Sequence, residues 1–191
     1  MLKKLFSNEW ISVVEKTTDN GGKYVYSQSI WCNCEGIAIL PYRFTANSRL
    51  EFLGRFEICP AHSDELELCS ITGGMDKESE SPVFTARREL IEESGYVVDN
   101  KNLVYLGTVR PSKSSDTTTH LFTVRLDKDF IKTDAVGDGT LGEEGSFCKW
   151  VSFDEITKAK DPLLHTIICR TNEMIFNEIS EEMRSHSKDE Q

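Results

Sequence analysis

The 191-residue chain carries 22 basic and 32 acidic residues, giving a formal net charge of −10 and a pI near 4.9. That length suits a single domain with extensions and needs no disulfide or metal to hold a core, while 38% apolar and 28% charged residues exclude a fully disordered chain. The acidity argues against nucleic acid and anionic membranes as partners, and the longest apolar run, near residues 36–40, falls far short of a membrane span.

The opening Met1-Leu-Lys-Lys has the basic character of a signal peptide, but Ser7, Asn8 and Glu9 stand where its apolar core should begin. A cytoplasmic location is therefore expected. Residues 10–15 and 23–30 alternate like strands around Asn20-Gly21-Gly22, a hairpin signal. Strands are predicted over 36–42 and 50–58, joined by a turn at Ala46-Asn47-Ser48, and over 66–71 leading into Gly73 and Gly74. A helix follows, with Ser81 as N-cap, Pro82 at its first position and Gly95 as its stop. Beyond it, 103–109 and 120–126 read as strands, 133–146 as a glycine-rich acidic loop, and 147–152 as a last strand. Pro162 opens a final helix to about residue 183, with a polar tail behind. This order predicts an α+β fold arranged as an α/β/α sandwich, with a mixed sheet.

Six cysteines, at 32, 34, 59, 69, 148 and 169, are expected as free thiols in a reducing compartment. Cys32 and Cys34 lack the spacing of a zinc knuckle and, if extended, would point to one face of a sheet.

The predicted helix carries the chemistry. At 100° per residue, Glu89, Glu92 and Glu93 fall within about 100° of one another, while Val83, Ala86 and Leu90, with Phe84 and Ile91 beside them, form a packing side. Carboxylates at three- and four-residue spacing repel, and a multivalent cation removes the conflict. Oxygen-only donors suit Mg²⁺ or Mn²⁺, which complete their shells with water and substrate phosphates. Arg88, four residues before Glu92, is placed to orient it. Gly73 and Gly74 are expected to let the backbone turn tightly before the helix.

From Gly74 the sequence runs through Glu80 to Arg88-Glu89-Leu90-Ile91-Glu92-Glu93-Ser94-Gly95-Tyr96. This resembles the Nudix box, G-x5-E-x7-R-E-U-x-E-E-x-G-U, with all seven fixed letters present; only Tyr96 departs, being aromatic where an aliphatic residue is usual. At about 7% per residue type, a chance match somewhere in such a chain is on the order of one in a million. The resemblance implies a Nudix fold with a catalytic strand-loop-helix and a metal-dependent pyrophosphohydrolase that cleaves a nucleoside diphosphate linked to another moiety. It assigns Gly74, Glu89, Glu92 and Glu93 to the metal and implies division into an N-terminal hairpin (1–35), a Nudix domain (36–158) and a C-terminal helix with tail (159–191).

Pro111, fifteen residues past the box, is similar in placement to a proline of ADP-ribose pyrophosphatases, although Thr117 stands where that branch often has a glutamate after Ser115-Asp116. The implied reaction is ADP-ribose to AMP and ribose 5-phosphate. NDP-sugars and dinucleoside polyphosphates are alternative substrates, and a non-catalytic nucleotide sensor is the alternative class. Arg55, Gly74 and Arg110 are the implied substrate contacts. Tyr24, Tyr26 and Trp31 are candidates for stacking on a base, though strand aromatics usually serve the core. The catalytic base is expected at Glu144 or Glu143 in the acidic loop, with Glu89 or Asp116 as other candidates and Arg88 as a catalytic neighbour. The same branch implies a homodimer formed through the N-terminal strands.

Overall fold

The computed structural model describes residues 1–77, 79–126, 130–136 and 145–189, with side chains through Phe176. Two sheets organise it. β1 (Leu2–Ser7), β2 (Ser12–Thr17) and β3 (Lys23–Gln28) form an antiparallel three-stranded sheet in chain order. A 3₁₀ turn at Ile30–Cys32 then leads to β4 (Glu35–Phe44). The second sheet has seven strands: β4, β5 (Leu50–Ile58), β6 (Leu66–Cys69), β7 (Ile71–Gly74), β8 (Val104–Val109), β9 (Thr118–Arg125) and β10 (Phe147–Ser152). Its main path is β10-β5-β4-β9-β8, with β6 on β5 and β7 on β4. β4 and β9 are parallel and the other pairs antiparallel, so the sheet is mixed.

Alternation along the central strands decides the layers. Ile37 and Ile39 of β4, Leu53 of β5, and Phe122 and Val124 of β9 pack with Ala86 and Leu90 of α1 (Pro82–Ser94). Their neighbours Ala38, Leu40, Phe52 and Leu121 face the other way. They pack with Ile156 of the short helix α2 (Phe153–Ile156) and with Leu164, Ile167 and Ile168 of α3 (Pro162–Asp189). A sheet buried on both faces needs apolar residues at successive positions, as β4 has. The predicted sandwich is therefore present.

Two breaks in regularity have visible causes. The single strand predicted over 66–71 is two strands, because buried Ser70 turns away from the ladder. Its N–H and hydroxyl donate to Asp161 Oδ2 at 2.8 and 2.6 Å. β4 changes partner along one edge, pairing β7 through Ile39 and β5 from Tyr42 onward. Pro41, which has no N–H to donate, sits at that changeover.

Other expectations need correction. The basic opening is strand β1, whose six residues are all exposed and so show no burial pattern. Cys32 and Cys34 do not extend along a strand, since Asn33 and Cys34 have φ of 54° and 59° and turn the chain into β4. α3 continues through the predicted polar tail. As expected, all six cysteines are free. Among the described residues no helix is long and apolar enough to cross a membrane.

Candidate active site

α1 begins and ends as its sequence dictates. Pro82 occupies the first turn, and Gly95, at φ 74°, closes it with an N–H to the Ile91 carbonyl. Ser81 takes the N-cap backbone conformation, but its side chain makes no cap bond; Thr85 Oγ donates instead to Glu80 Oε2 at 3.0 Å. Phe84, expected on the packing side, is exposed.

The acidic side of α1 is turned inward against the β5 and β7 edges, and two arginines tie it together. Arg55 of β5, only 4% exposed, pairs with Glu57 at 2.8 Å and with Glu93 at 2.7 Å. Burial opposes its charge, but Glu93 and Glu57 outweigh that and raise its pKa. Arg88 Nη1 lies 2.8 Å from Glu89 and 3.0 Å from Glu92, and Nη2 lies 3.6 Å from both Asp76 and Glu80. Here too burial lowers the pKa and the carboxylates, Glu89 foremost, raise it further. Among the described residues Nε and Nη2 of Arg88 are buried without a hydrogen bond. These two guanidinium groups face six carboxylates, so the site carries excess negative charge and favours a cation.

Gly73 and Gly74 lie in β7 rather than in a turn, and their missing side chains serve close approach. A Cβ on Gly73 would stand 2.3 Å from the Glu89 carboxyl carbon, and one on Gly74 would stand 2.2 Å from the Trp31 ring. Either would displace a wall of the site.

That site is a cavity of about 610 Å³. Arg55, Gly73, Gly74, Arg88, Glu89 and Glu93 line it, joined by Trp10, Ser29 and Trp31 from the N-terminal segment. The tryptophans meet edge to face, with ring centroids 6.2 Å apart. Trp10 is 57% and Trp31 44% exposed, so this pair is not core. An Asn8 turn presents Trp10: Asn8 Oδ1 accepts the N–H groups of Trp10 and Ile11 at 2.9 and 2.8 Å. Pro111 and Thr117 complete the rim. Their loop is fastened to β3 by Ser27 N–H to the Ser114 carbonyl at 2.9 Å and Gln28 Nε2 to Asp116 Oδ2 at 2.6 Å.

The NUDIX domain family model matches residues 52–168, which include this helix and its supporting strands. The chain belongs to the Nudix family. The mixed sheet between α1 and α3 is thus a Nudix fold, and with the box complete the protein is a Nudix pyrophosphohydrolase in class. Among solved structures, it is similar to an ADP compounds hydrolase at 16% identity, with 93% of each chain covered and a TM-score of 0.64. A NUDIX hydrolase from Nitrosomonas europaea shares 22% identity over 72% of this chain and 87% of that one, with a TM-score of 0.51. The NUDIX domain of Shewanella oneidensis NrtR, solved with ADP ribose, shares 16% identity over 74% of this chain and 87% of its own, with a TM-score of 0.54. At these identities the likeness is one of fold. A comparison with curated proteins gives no match.

The Nudix box residues Gly74, Arg88, Glu89 and Glu93 all reach the cavity, and so does Arg55. Glu92, 34% exposed, is not among its lining residues and contacts it through Arg88. Arg110 is exposed and does not line the cavity. Tyr24 is exposed on β3, its hydroxyl bonded to the Lys113 carbonyl. Glu143 and Glu144 lie outside the described residues. Sequence reasoning missed Trp10, for which an Asx turn at Asn8 was the available signal.

Proposed function

We propose that this Nudix hydrolase cleaves ADP-ribose to AMP and ribose 5-phosphate. One observation carries the reading: a single cavity is lined by Glu89, Glu93, Arg55 and Arg88 together with an exposed tryptophan pair. A nucleoside diphosphate has matching halves, a flat base for the indoles and a diphosphate for the charged wall. Two structures of similar fold agree with it, one named as an ADP compounds hydrolase and one solved with ADP ribose.

The donor set fits a hard divalent cation, Mg²⁺ or Mn²⁺. Glu89 and Glu93 supply carboxylates, Gly74 its carbonyl, and Glu92 reinforces the negative field. Among the described residues these carboxylates do not converge within 4.8 Å as a trio; one or two of them, with water and phosphate completing the shell, is the usual Mg²⁺ arrangement. Such an ion, when bound, activates water and stabilises charge on the leaving phosphate oxygen. Arg88 is an orienter: Nη1 holds Glu89 and Glu92, Nη2 stays ion-paired with Asp76 and Glu80, and its positive charge lies on the cavity wall that a diphosphate would face. Arg55 fixes the Glu93 carboxylate and adds positive charge beside it. The proton of the attacking water goes to a base that cation binding leaves free, which we assign to Glu144 with Glu143 as its neighbour. Glu89 is the fallback.

The protein acts as a homodimer in the cytoplasm under the same reading. Leu2, Leu5 and Phe6 of β1 and Val25 of β3 are exposed apolar residues on a small sheet, the kind of surface a second copy covers. Six free thiols fit a reducing compartment. Residues 1–35 then serve assembly, 36–158 catalysis, and 159–191 support the sheet from behind. A sensor typically lacks a box carboxylate, whereas Glu80, Glu89, Glu92 and Glu93 are all present.

Chromatography of products from a Mg²⁺ assay tests the substrate. ADP-ribose, an NDP-sugar and a dinucleoside polyphosphate are offered separately at equal concentration. AMP with ribose 5-phosphate as the fastest reaction is expected. Strong preference for the dinucleoside polyphosphate overturns the substrate and leaves the family intact; binding of ADP-ribose with no turnover of any substrate favours the sensor.

A further inference from the structure

A second cavity, of about 460 Å³, lies on the face of the β5–β6 hairpin near the start of α3. Glu57, Cys59, His62, Glu67 and Cys69 line it. Chain geometry explains the grouping. Glu67 and Cys69 are two residues apart on β6 and project to one face of it, while Cys59 follows directly after the end of β5. The register sets Glu57 opposite Glu67 and Cys69 opposite Arg55, so the approach of Cys59 to Cys69 is made outside the ladder, by the turn that begins at Cys59. A turn then folds His62 back, its N–H donating to the Cys59 carbonyl at 2.8 Å.

Ligand atoms of Glu57, Cys59 and Cys69 lie within 4.8 Å of one another. The Cys59 and Cys69 sulfurs are 3.7 Å apart. A disulfide would bring them to about 2.0 Å. Two thiolates on one tetrahedral zinc, each about 2.3 Å from it, stand about 3.8 Å apart. The observed separation, a thiol–thiol hydrogen bond, is too long for a disulfide and already close to the spacing a shared zinc would need.

We infer that Glu57, Cys59 and Cys69, with His62 as fourth donor, form a binding site for a thiophilic divalent cation of the zinc class, separate from the Nudix carboxylates. The donor set of two sulfurs, one imidazole and one carboxylate suits zinc and does not suit Mg²⁺. Binding exchanges two S–H protons, released to solvent, for two metal–sulfur bonds. Without a cation, burial and the neighbouring acids hold both sulfurs as thiols: both pKa values are raised, Cys69 mainly by burial and then by Cys59 and Glu57. Glu57 is already oriented, because its Oε2 accepts Arg55 Nε at 2.8 Å, an outer contact of the kind that steadies metal ligands. Glu57 also lines the active-site cavity, so the two sites share this residue as a common wall.

Cobalt titration of the reduced, chelator-stripped full-length protein tests the site. One equivalent of Co²⁺ is expected to produce thiolate-to-cobalt charge-transfer absorption that Zn²⁺ then abolishes. Oxygen donors of the Nudix helix give no such band, so the readout is independent of hydrolysis and of the substrate proposal. Cys59→Ser and Cys69→Ser should each lose the band, whereas Cys34→Ser and Cys169→Ser keep it. His62→Ala should shift the visible cobalt bands with the thiolate absorption retained. Circular dichroism melts establish that each variant is folded, and Cys59→Ser, beyond the end of β5, carries the test if Cys69→Ser does not fold. Absence of the band in the parent protein, its survival in folded Cys59→Ser or Cys69→Ser, or a Cys59–Cys69 disulfide in place of bound metal overturns the proposal.

Discussion

The two sheets solve opposite problems. The seven-stranded sheet hides both faces beneath α1 and α3 and uses that rigidity to hold charge where water would otherwise screen it: Arg55 and Glu93 meet with only 4% and 8% of their side chains exposed. The three-stranded sheet leaves Leu2, Leu5 and Phe6 outside, and the segments flanking it place two half-exposed indoles over the cavity. Precise charge placement comes from a buried scaffold, and recognition of a flat apolar group comes from a surface element that keeps its aromatic faces open. The cavity lies where the two meet, so its walls can be disabled separately.

The largest effect is expected on the charged wall. Chelation of divalent cations should abolish turnover of ADP-ribose, and Mg²⁺ or Mn²⁺ should restore it; full activity in excess chelator would remove the cation from the account. Glu144→Gln comes next, with kcat falling by about 100-fold, the low end for loss of a general base, and KM moving little. Should Glu144→Gln, Glu143→Gln and the double variant all stay within about threefold of normal, Glu89 takes the role. On the aromatic wall, Trp31→Ala should raise KM by about 10-fold, the lower part of the range for one lost base stack, with kcat nearly unchanged. A change in kcat alone would mean that Trp31 does not hold the base. Smallest in its effect on chemistry is Phe6→Asp, which should halve the sedimenting mass from dimer to monomer; an unchanged mass would place any dimer contact elsewhere.

The difference between the sheets also governs what could be read in the sequence. The helix, its Pro82 start, its Gly95 stop and the shared side of Glu89 and Glu93 were legible because spacing within one helix sets them, whereas their inward turn against β5 was not. Strands with a buried face were legible for the same local reason, and β5 and β10 run over the predicted residues. β1 was not, because all six of its residues are exposed and no alternation marks it. The break at Ser70 depends on Asp161, distant in sequence, and the approach of Trp31 to Gly74 depends on how the 3₁₀ turn crosses β7. Gly73 and Gly74 were correctly singled out but for the wrong reason, since close approach and tight turning leave the same glycine in the sequence. The Cys59–Cys69 grouping depends on the turn after β5, outside the paired residues, and no local pattern marks it.

Steady-state hydrolysis of ADP-ribose by Glu93→Gln in saturating Mg²⁺ tests the central claim most directly. The substitution keeps the shape of the side chain and removes the charge that Arg55 orients. The account predicts a folded protein whose kcat falls by more than about 100-fold, beyond the usual cost of losing an outer partner of a metal site. A folded Glu93→Gln protein with kcat close to normal would contradict it.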